Sequence, residues 1–298
     1  MSCRAFCGVF FGLILSLHST DLSAQYQWWN TAQQWDGVTP WTEYMVYSHA
    51  FFGPNALPIP STEISPSYFK TSSQLSLRSD DRFVTWHNEL HWNRSHTQIH
   101  LTHQSVEAYA TTLEVRDERA SREEDARGVL AGDVLVDIST RLWNGERHQL
   151  FFAFHTKTAA GSLAQARFTD APGYAFYFSH HYQSLPLEGR LFDHWSAAVE
   201  AGFQVYQTHW IAYPQNDGFL GNVRWSLQGP RWEWHTGVRS FTGYFRQGDW
   251  ARIVDLQLDR KWDTGHRTRL GWTFGWNDFP FSFLTLSQQW SLEGGSGR

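Results

Sequence analysis

Cysteine is nearly absent. The 298-residue sequence has two, Cys3 and Cys7, and both precede or fall within an apolar stretch at the N-terminus. Past residue 24 there is no thiol to act as a nucleophile, ligate a metal or close a disulfide. Long apolar runs are missing as well. None past residue 24 approaches the roughly 20 residues that a spanning helix needs, and the mean hydropathy is −0.47, which excludes a helical inner-membrane protein. Basic blocks are also lacking, and the formal net charge is −5, so nucleic acid is not expected as a partner. No glycine-rich phosphate loop and no glycosidase-like carboxylate pair appears, and no cofactor is expected.

Residues 1–24 read as a signal peptide: Arg4 supplies the positive end, Phe6 to Leu17 the apolar run, and Leu22-Ser23-Ala24 a small-residue cleavage site. The run is too short to anchor the chain as a helix. Cleavage removes both cysteines. An exported chain without disulfides needs another means of closure, and a ring of strands supplies one because every strand is tied to two neighbours.

From residue 67 onward the sequence alternates between apolar and polar residues. Twelve strands are expected at about 67–79, 82–92, 95–116, 130–142, 148–158, 174–183, 191–208, 218–227, 231–244, 250–262, 267–276 and 281–292. Most match the 9–11 residues with which a tilted strand crosses hydrocarbon. Short links fall at Asn93-Arg94, Trp143 to Arg147, Gln228-Gly229-Pro230 and Asp263 to His266, and longer ones at Asp117 to Arg127, Ala159 to Gly173 and His209 to Asp217. Short turns on one side and longer loops on the other are the habit of outer-membrane barrels. The expected fold is therefore all-β: a transmembrane antiparallel up-and-down barrel of about 12 strands over 67–292, followed by a tail at 293–298. Such a chain resides in the bacterial outer membrane, in contact with its lipid, and is expected as a monomer. Val84, Trp86, Leu90 and Trp92 mark one lipid-facing stripe, and Val223, Trp225 and Leu227 another. Seventeen tryptophans provide two rims, with Trp92, Trp143, Trp232, Trp262 and Trp290 on the periplasmic side and Trp210, Trp250 and Trp276 on the outer one.

Residues 25–66 do not alternate. They carry Trp28, Trp29, Trp35, Trp41, Phe51 and Phe52, then Pro54, Pro58 and Pro60, which bar a central strand or a long helix. Such a segment either enters the lumen as a plug or forms a periplasmic lead-in.

Two hairpins carry the interior chemistry. With a turn at Asn93-Arg94, His91 faces His96, His87 faces His100, and Glu89 faces Gln98, all opposite the apolar stripe. Cross-strand partners stand about 4.5–5.5 Å apart at Cβ. Either pair, His91 with His96 or His87 with His100, can therefore chelate a divalent metal; the plain alternative is imidazoles lining a wet interior. At the second hairpin Arg224 faces His235 and Ser226 faces Glu233, with Asn222 and Arg239 beside them. Mixed charge of this kind suits a small neutral, polyhydroxylated or zwitterionic solute, or a self-satisfied network bracing the wall. In the loop after the fifth strand, Lys157, Arg167 and Asp170 punctuate a small-residue stretch that can fold inward and constrict a pore.

His103-Gln104-Ser105 places His103, Ser105 and Glu107 on the lipid side if the strand keeps its parity. The three residues resemble the His-x-Ser of outer-membrane phospholipase A, where the resemblance implies a histidine activating a serine against a phospholipid ester. That family follows its serine with Asn-Gly, and here Val106-Glu107 stands instead. Two further stretches resemble uncharacterised outer-membrane barrels of Bacteroidota-type bacteria: Phe52-Gly53-Pro54-Asn55-Ala56, and Lys157-Thr158-Ala159-Ala160-Gly161 running through Ala166-Arg167 to Asp170-Ala171-Pro172-Gly173-Tyr174. In size and architecture the chain is also similar to twelve-stranded nucleoside channels. The function expected is diffusive passage or binding of a small polar solute. The alternatives are an accessory barrel with a blocked lumen serving a partner complex, and a lipid-acting hydrolase at the barrel rim.

Overall fold

The computed structural model describes residues 67–292 other than 119–120, 122, 159, 162–163, 166, 169–172, 188–191, 211–212, 243–249, 264 and 280, and describes the backbone alone at 118, 206–210 and 213–217. The leader 1–24, the segment 25–66, the tail 293–298 and Asp170 lie outside the described residues.

Alternation produces the strands, and burial follows it. In β2 (Asp81–Arg94) the odd positions Phe83, Thr85, His87, Glu89 and His91 are buried, while Val84, Trp86 and Trp92 are exposed. In β7 (Gly173–Gln183) Ala175, Tyr177, Ser179 and His181 are buried, and Phe176 and Phe178 are exposed. A period of two with the apolar set outside inverts the arrangement of a water-soluble sandwich, in which the apolar set is hidden.

The remaining elements are β1 (Tyr68–Ser76), β3 (Thr97–Thr111), α1 (Leu113–Glu118), β4 (Arg127–Leu130), β5 (Val134–Asn144), β6 (His148–Lys157), β8 (His194–Trp210), β9 (Tyr213–Gln228), β10 (Trp232–Thr242), β11 (Trp250–Lys261), β12 (His266–Asn277) and β13 (Ser282–Ser291). Apart from β4 and β5, consecutive strands pair antiparallel, and β1 pairs with β13 from Tyr68↔Ser291 to Ser76↔Phe283, closing the ring. β4 and β5 share one position: both pair with β3, β4 toward the far end and β5 toward the near one, with 131–133 between them. The ring is thus twelve strands around. Closure between β1 and β13 removes the open sheet edge that hydrocarbon does not tolerate. No described helix is long and apolar enough to cross a membrane.

Call the end holding Tyr68 and Ser291 the terminal end, and the other the loop end. Exposed Trp92, Trp143, Trp232, Trp262 and Trp290 lie near the terminal end, and exposed Trp250 and Trp276 near the loop end. Arg260 sits over the Trp262 ring at 3.9 Å, and Arg252 over Trp250 at 4.6 Å, as expected of aromatic rims that meet charge.

Four expectations need correction. The first hairpin turns at Ser95-His96, with Arg94 paired to Thr97 and Ser95 at φ 60. A two-residue turn needs a left-handed first position, and Ser95 takes it two residues beyond the expected place. The second hairpin turns at Pro230-Arg231, closed by the Gly229 N–H on the Trp232 carbonyl; proline's fixed φ suits the first central position of a turn. The expected long link from His209 to Asp217 is strand as far as Trp210 and again from Tyr213. Finally, a bulge between Trp86 and His87 leaves Ser105 as the extra residue of β3, since Trp86 pairs with Val106 and His87 with Gln104. The bulge reverses parity, and Glu107 faces inward.

Candidate functional site

The interior has two layers. Toward the loop end it is apolar: Phe83, Phe281 and Phe283 pack at ring distances of 5.7–6.1 Å, with Phe279 beside them at 5.7 Å from Phe281. Tyr109, Phe168, Leu220, Phe241 and Ile253 join the same buried cluster. These side chains share the parity of the polar interior, so they form a collar inside the ring and are not part of its lipid face. The sequence reading expected polar residues throughout and missed this collar. The signal was available in the inward parity of Phe83, Phe241, Phe281 and Phe283.

Toward the terminal end the interior is charged. On β1–β3, Lys70 Nζ donates to Glu89 at 2.8 Å, Ser72 Oγ donates to Glu89 at 3.3 Å, and His100 Nε2 lies 3.1 Å from the same carboxylate. His91 stacks on Tyr68 at 4.5 Å and stands edge-on to His100 at 5.7 Å. The register pairs His91 with His100, Asn93 with Gln98, Glu89 with Thr102 and His87 with Gln104. Neither expected metal pair is therefore formed. His96 lies in the turn beside Arg141, and His87 Nε2 contacts Thr85 Oγ1 at 2.6 Å. Gln98 is buried.

On β9–β12 the register pairs Ser226 with His235, Gln228 with Glu233, Arg224 with Gly237 and Asn222 with Arg239. The Arg224–His235 and Ser226–Glu233 pairs are thus each displaced by one step of the turn. Arg269 grips Asp259 through two hydrogen bonds of 2.7 and 2.8 Å, and Arg267 reaches Glu233 at 2.6 Å and Asp259 at 3.2 Å. Lys261 lies 2.7 Å from Glu233. Arg239 and Asp255 form a bidentate pair at 2.6 and 3.0 Å. Asn222 donates to Glu200 at 2.9 Å. Glu233, His235 and Asp259 offer ligand atoms within 4.8 Å of one another, a donor set suited to a divalent ion. Their carboxylate oxygens, however, are already held by Arg267, Arg269 and Lys261. An incoming ion has to displace three cations, so the cluster reads as a braced wall. Asp259 escaped the sequence reading because only the β10–β11 register brings it beside Glu233.

The end of β6 and the loop that follows it reach inward. Lys157 Nζ lies 2.6 Å from Asp133, both fully buried. Arg167 donates to Asp81 at 2.7 Å and to Glu107, and its guanidinium covers the Phe83 and Tyr109 rings at 5.1 and 4.7 Å. Burial works against the Arg167 charge, but the Glu107 and Asp81 carboxylates outweigh it and hold its pKa above the ordinary value. Gly132 and Gly161 flank Phe168 so closely that a Cβ on either would come within 3 Å of the ring. This loop thus enters the mouth and is fastened there by charge.

On the outer face, Ser105 Oγ lies 3.1 Å from His103 Nδ1, and the Asn88 amide donates to Ser105 Oγ at 2.8 Å. Asn88 pairs with His103 across the β2–β3 ladder, between outward Trp86 and Leu90. Asn88 was not expected because only the observed register brings it to the bulge.

No protein-family model and no curated protein matches the sequence. Solved structures match in shape. An outer membrane channel from Pseudomonas putida F1 aligns with TM-score 0.53 at 9% identity, over 80% of this chain and 98% of that one. The NanC porin aligns with TM-score 0.50 at 8% identity, over 75% of this chain and 100% of that one. At such identities the likeness is one of fold, and the fold is the closed antiparallel β-barrel of outer-membrane channels.

Proposed function

We propose that the chain is a monomeric outer-membrane barrel that passes or binds a small polar solute by diffusion, with the terminal end in the periplasm. Its outer surface is an apolar belt between tryptophan rims, and its interior carries charge. The observation that carries the reading is how that charge is divided. On β9–β12 the inward cations Arg224, Arg239, Lys261, Arg267 and Arg269 outnumber Glu233, Asp255 and Asp259. Around β1–β8 the carboxylates Asp81, Glu89, Glu107, Asp133, Asp137 and Glu200 outnumber Lys70, Arg141, Lys157 and Arg167. Two arcs of opposite sign face one another across the ring. A field set across the axis orients a zwitterion or a hydroxyl-rich neutral solute and penalises a multiply charged ion, which cannot satisfy both walls.

Liposome swelling with the purified full chain and with a version lacking 25–66 tests this. Neutral sugars and zwitterionic amino acids are expected to enter at least several-fold faster than dianions of similar size. If neither version admits any solute, the channel reading falls and the accessory-barrel reading takes its place.

A second reading follows from the Asn88–Ser105–His103 cluster. A hydroxyl within hydrogen-bond reach of an imidazole, at a bulge in an apolar belt, has the elements of a lipid-facing nucleophile. Ser105 Oγ attacks a lipid ester carbonyl while His103 accepts its proton; the ester C–O bond breaks, the departing lysolipid hydroxyl takes that proton from His103, and water then hydrolyses the acyl-serine to free fatty acid and Ser105. If so, phospholipid hydrolysis in mixed micelles drops at least a hundredfold in Ser105→Ala. Intact lipid after prolonged incubation with the unmodified chain removes the reading.

A further inference from the structure

We infer that the outer face of β6 and β7 carries a site for a tetrahedral divalent ion such as zinc, formed by His148 and His180 at the terminal rim. The ladder pairs His148 with Tyr182 and Leu150 with His180, so the two histidines are diagonal neighbours on one face, within reach of each other's rings. Both are exposed. His148 Nδ1 lies 3.2 Å from His180 Nε2, with ring centroids 5.3 Å apart and planes 21° from parallel. Trp143 also stacks on the His148 ring, at 6.3 Å, and Tyr182 leans against it at 5.0 Å. The His148 imidazole is thus held in place by its neighbours, which lowers the ordering cost of binding.

The separation of the nitrogens selects the geometry. Two imidazole nitrogens about 2.0–2.1 Å from a tetrahedral zinc stand roughly 3.3–3.4 Å apart. Adjacent corners of a square-planar copper(II) ion bring them to roughly 2.8–3.0 Å at similar bond lengths. The observed 3.2 Å is nearer the tetrahedral value. An N–H shared between the two rings is the plain account of the contact. A metal takes the place of that proton once both rings are neutral and each presents a lone pair.

Position supports a ligand as well. Beyond the two histidines the outward row is apolar, with Leu150, Phe152 and Phe154 on β6 and Phe176 and Phe178 on β7. The imidazoles interrupt it where it meets the rim, beside exposed Trp143, at the depth where water and headgroups reach an ion. A structural zinc takes four protein ligands, whereas this pair leaves positions to water. The ion is therefore exchangeable, and a chelator withdraws it without opening the ring. None of this depends on the passage of a solute through the barrel.

The test uses the full chain folded in detergent micelles and stripped of metal by a chelator. Titration with Co²⁺, a coloured stand-in for zinc, is expected to give the strong visible absorption of a tetrahedral ion at one equivalent per chain, and Zn²⁺ to bleach it. His148→Asn and His180→Asn should each weaken binding about tenfold or more, and the double variant no further, because a chelate is lost with either arm. His266→Asn, at the same rim, should leave it unchanged. Binding is compared at equal strand circular dichroism, so that lost affinity is not lost fold. Without any substitution, Zn²⁺ is expected to shield His148 and His180 from diethyl pyrocarbonate, read by mass spectrometry, while His266 reacts as before. Only the weak absorption of octahedral cobalt, affinity unchanged in both single variants, or losses that add in the double variant would each overturn the inference. Equal shielding of His266 would do the same.

Discussion

Replacing Arg167 by alanine is expected to release the β6–β7 loop from the mouth of the barrel. Arg167 bridges Asp81 and Glu107, and all three side chains are at most 4% exposed. Without the guanidinium, two carboxylates face each other in a dry site. Removing one partner of a buried pair costs about 3–5 kcal/mol, because the charge left behind has lost its compensation. At 1.4 kcal/mol per decade, this shifts the balance between a fastened and a withdrawn loop by roughly a hundredfold to a few thousandfold. Withdrawal is the cheap escape, since it hydrates both carboxylates and leaves the strand ladder intact. Protease cleavage within 158–172 is therefore expected to accelerate strongly, and conductance to rise, while the denaturant midpoint of the whole barrel moves far less. Arg167→Lys is expected to fall between, because an ammonium is a point charge and cannot fork across two acceptors. Adding Asp81→Asn and Glu107→Gln to Arg167→Ala removes the stranded charges, and should recover most of the loss. If cleavage and conductance in Arg167→Ala both match the unmodified chain, the loop is not held by this contact.

How much of this was legible in the sequence depends on which physical rule each feature obeys. Strand positions and faces were readable because a period of two is a local property: Val84 and Trp86 outward, Thr85 and His87 inward, whatever the partner strand does. Cross-strand partners were not, because register is set by the turn, and a turn can slide by one or two residues without altering the alternation. Ser95 and Pro230 each moved a turn in this way. His91 thereby faces His100 and not His96, and His235 faces Ser226 and not Arg224. The bulge at Ser105 is harder still. Nothing in Gln104-Ser105-Val106 announces an extra residue, yet it decides that Glu107 meets Arg167 inside while Ser105 meets Asn88 outside. Sites built from several strands, such as Glu233 with Asp259 and Arg267, combine two registers, so they emerge only once the ring is closed.

Arginine at position 286 is expected to destabilise the barrel in lipid, and the same change separates a membrane-embedded ring from a water-soluble one. Leu286 lies near the middle of β13, 52% exposed, paired with outward Leu270 on β12 and with Ser73 on β1. On a protein dissolved in water, an arginine there would be unremarked: surface substitutions away from special features stay within about 0.5 kcal/mol. In hydrocarbon the guanidinium must either shed its water or drag headgroups inward, and an arginine on the lipid face near the bilayer midplane costs about 2–4 kcal/mol. The expected result for Leu286→Arg, measured by reversible denaturant unfolding from vesicles, is a loss in that range. Leu286→Ala should lose less, since an alanine still meets lipid with an apolar surface. Tryptophans mark the depth at which the penalty fades, so the equivalent change at Trp290, on the terminal rim, should cost about 0–1 kcal/mol. A flat profile, with Leu286→Arg as stable as its parent in vesicles, would mean that this face does not meet hydrocarbon. The charged interior would then line a soluble cylinder and no passage through a membrane could follow.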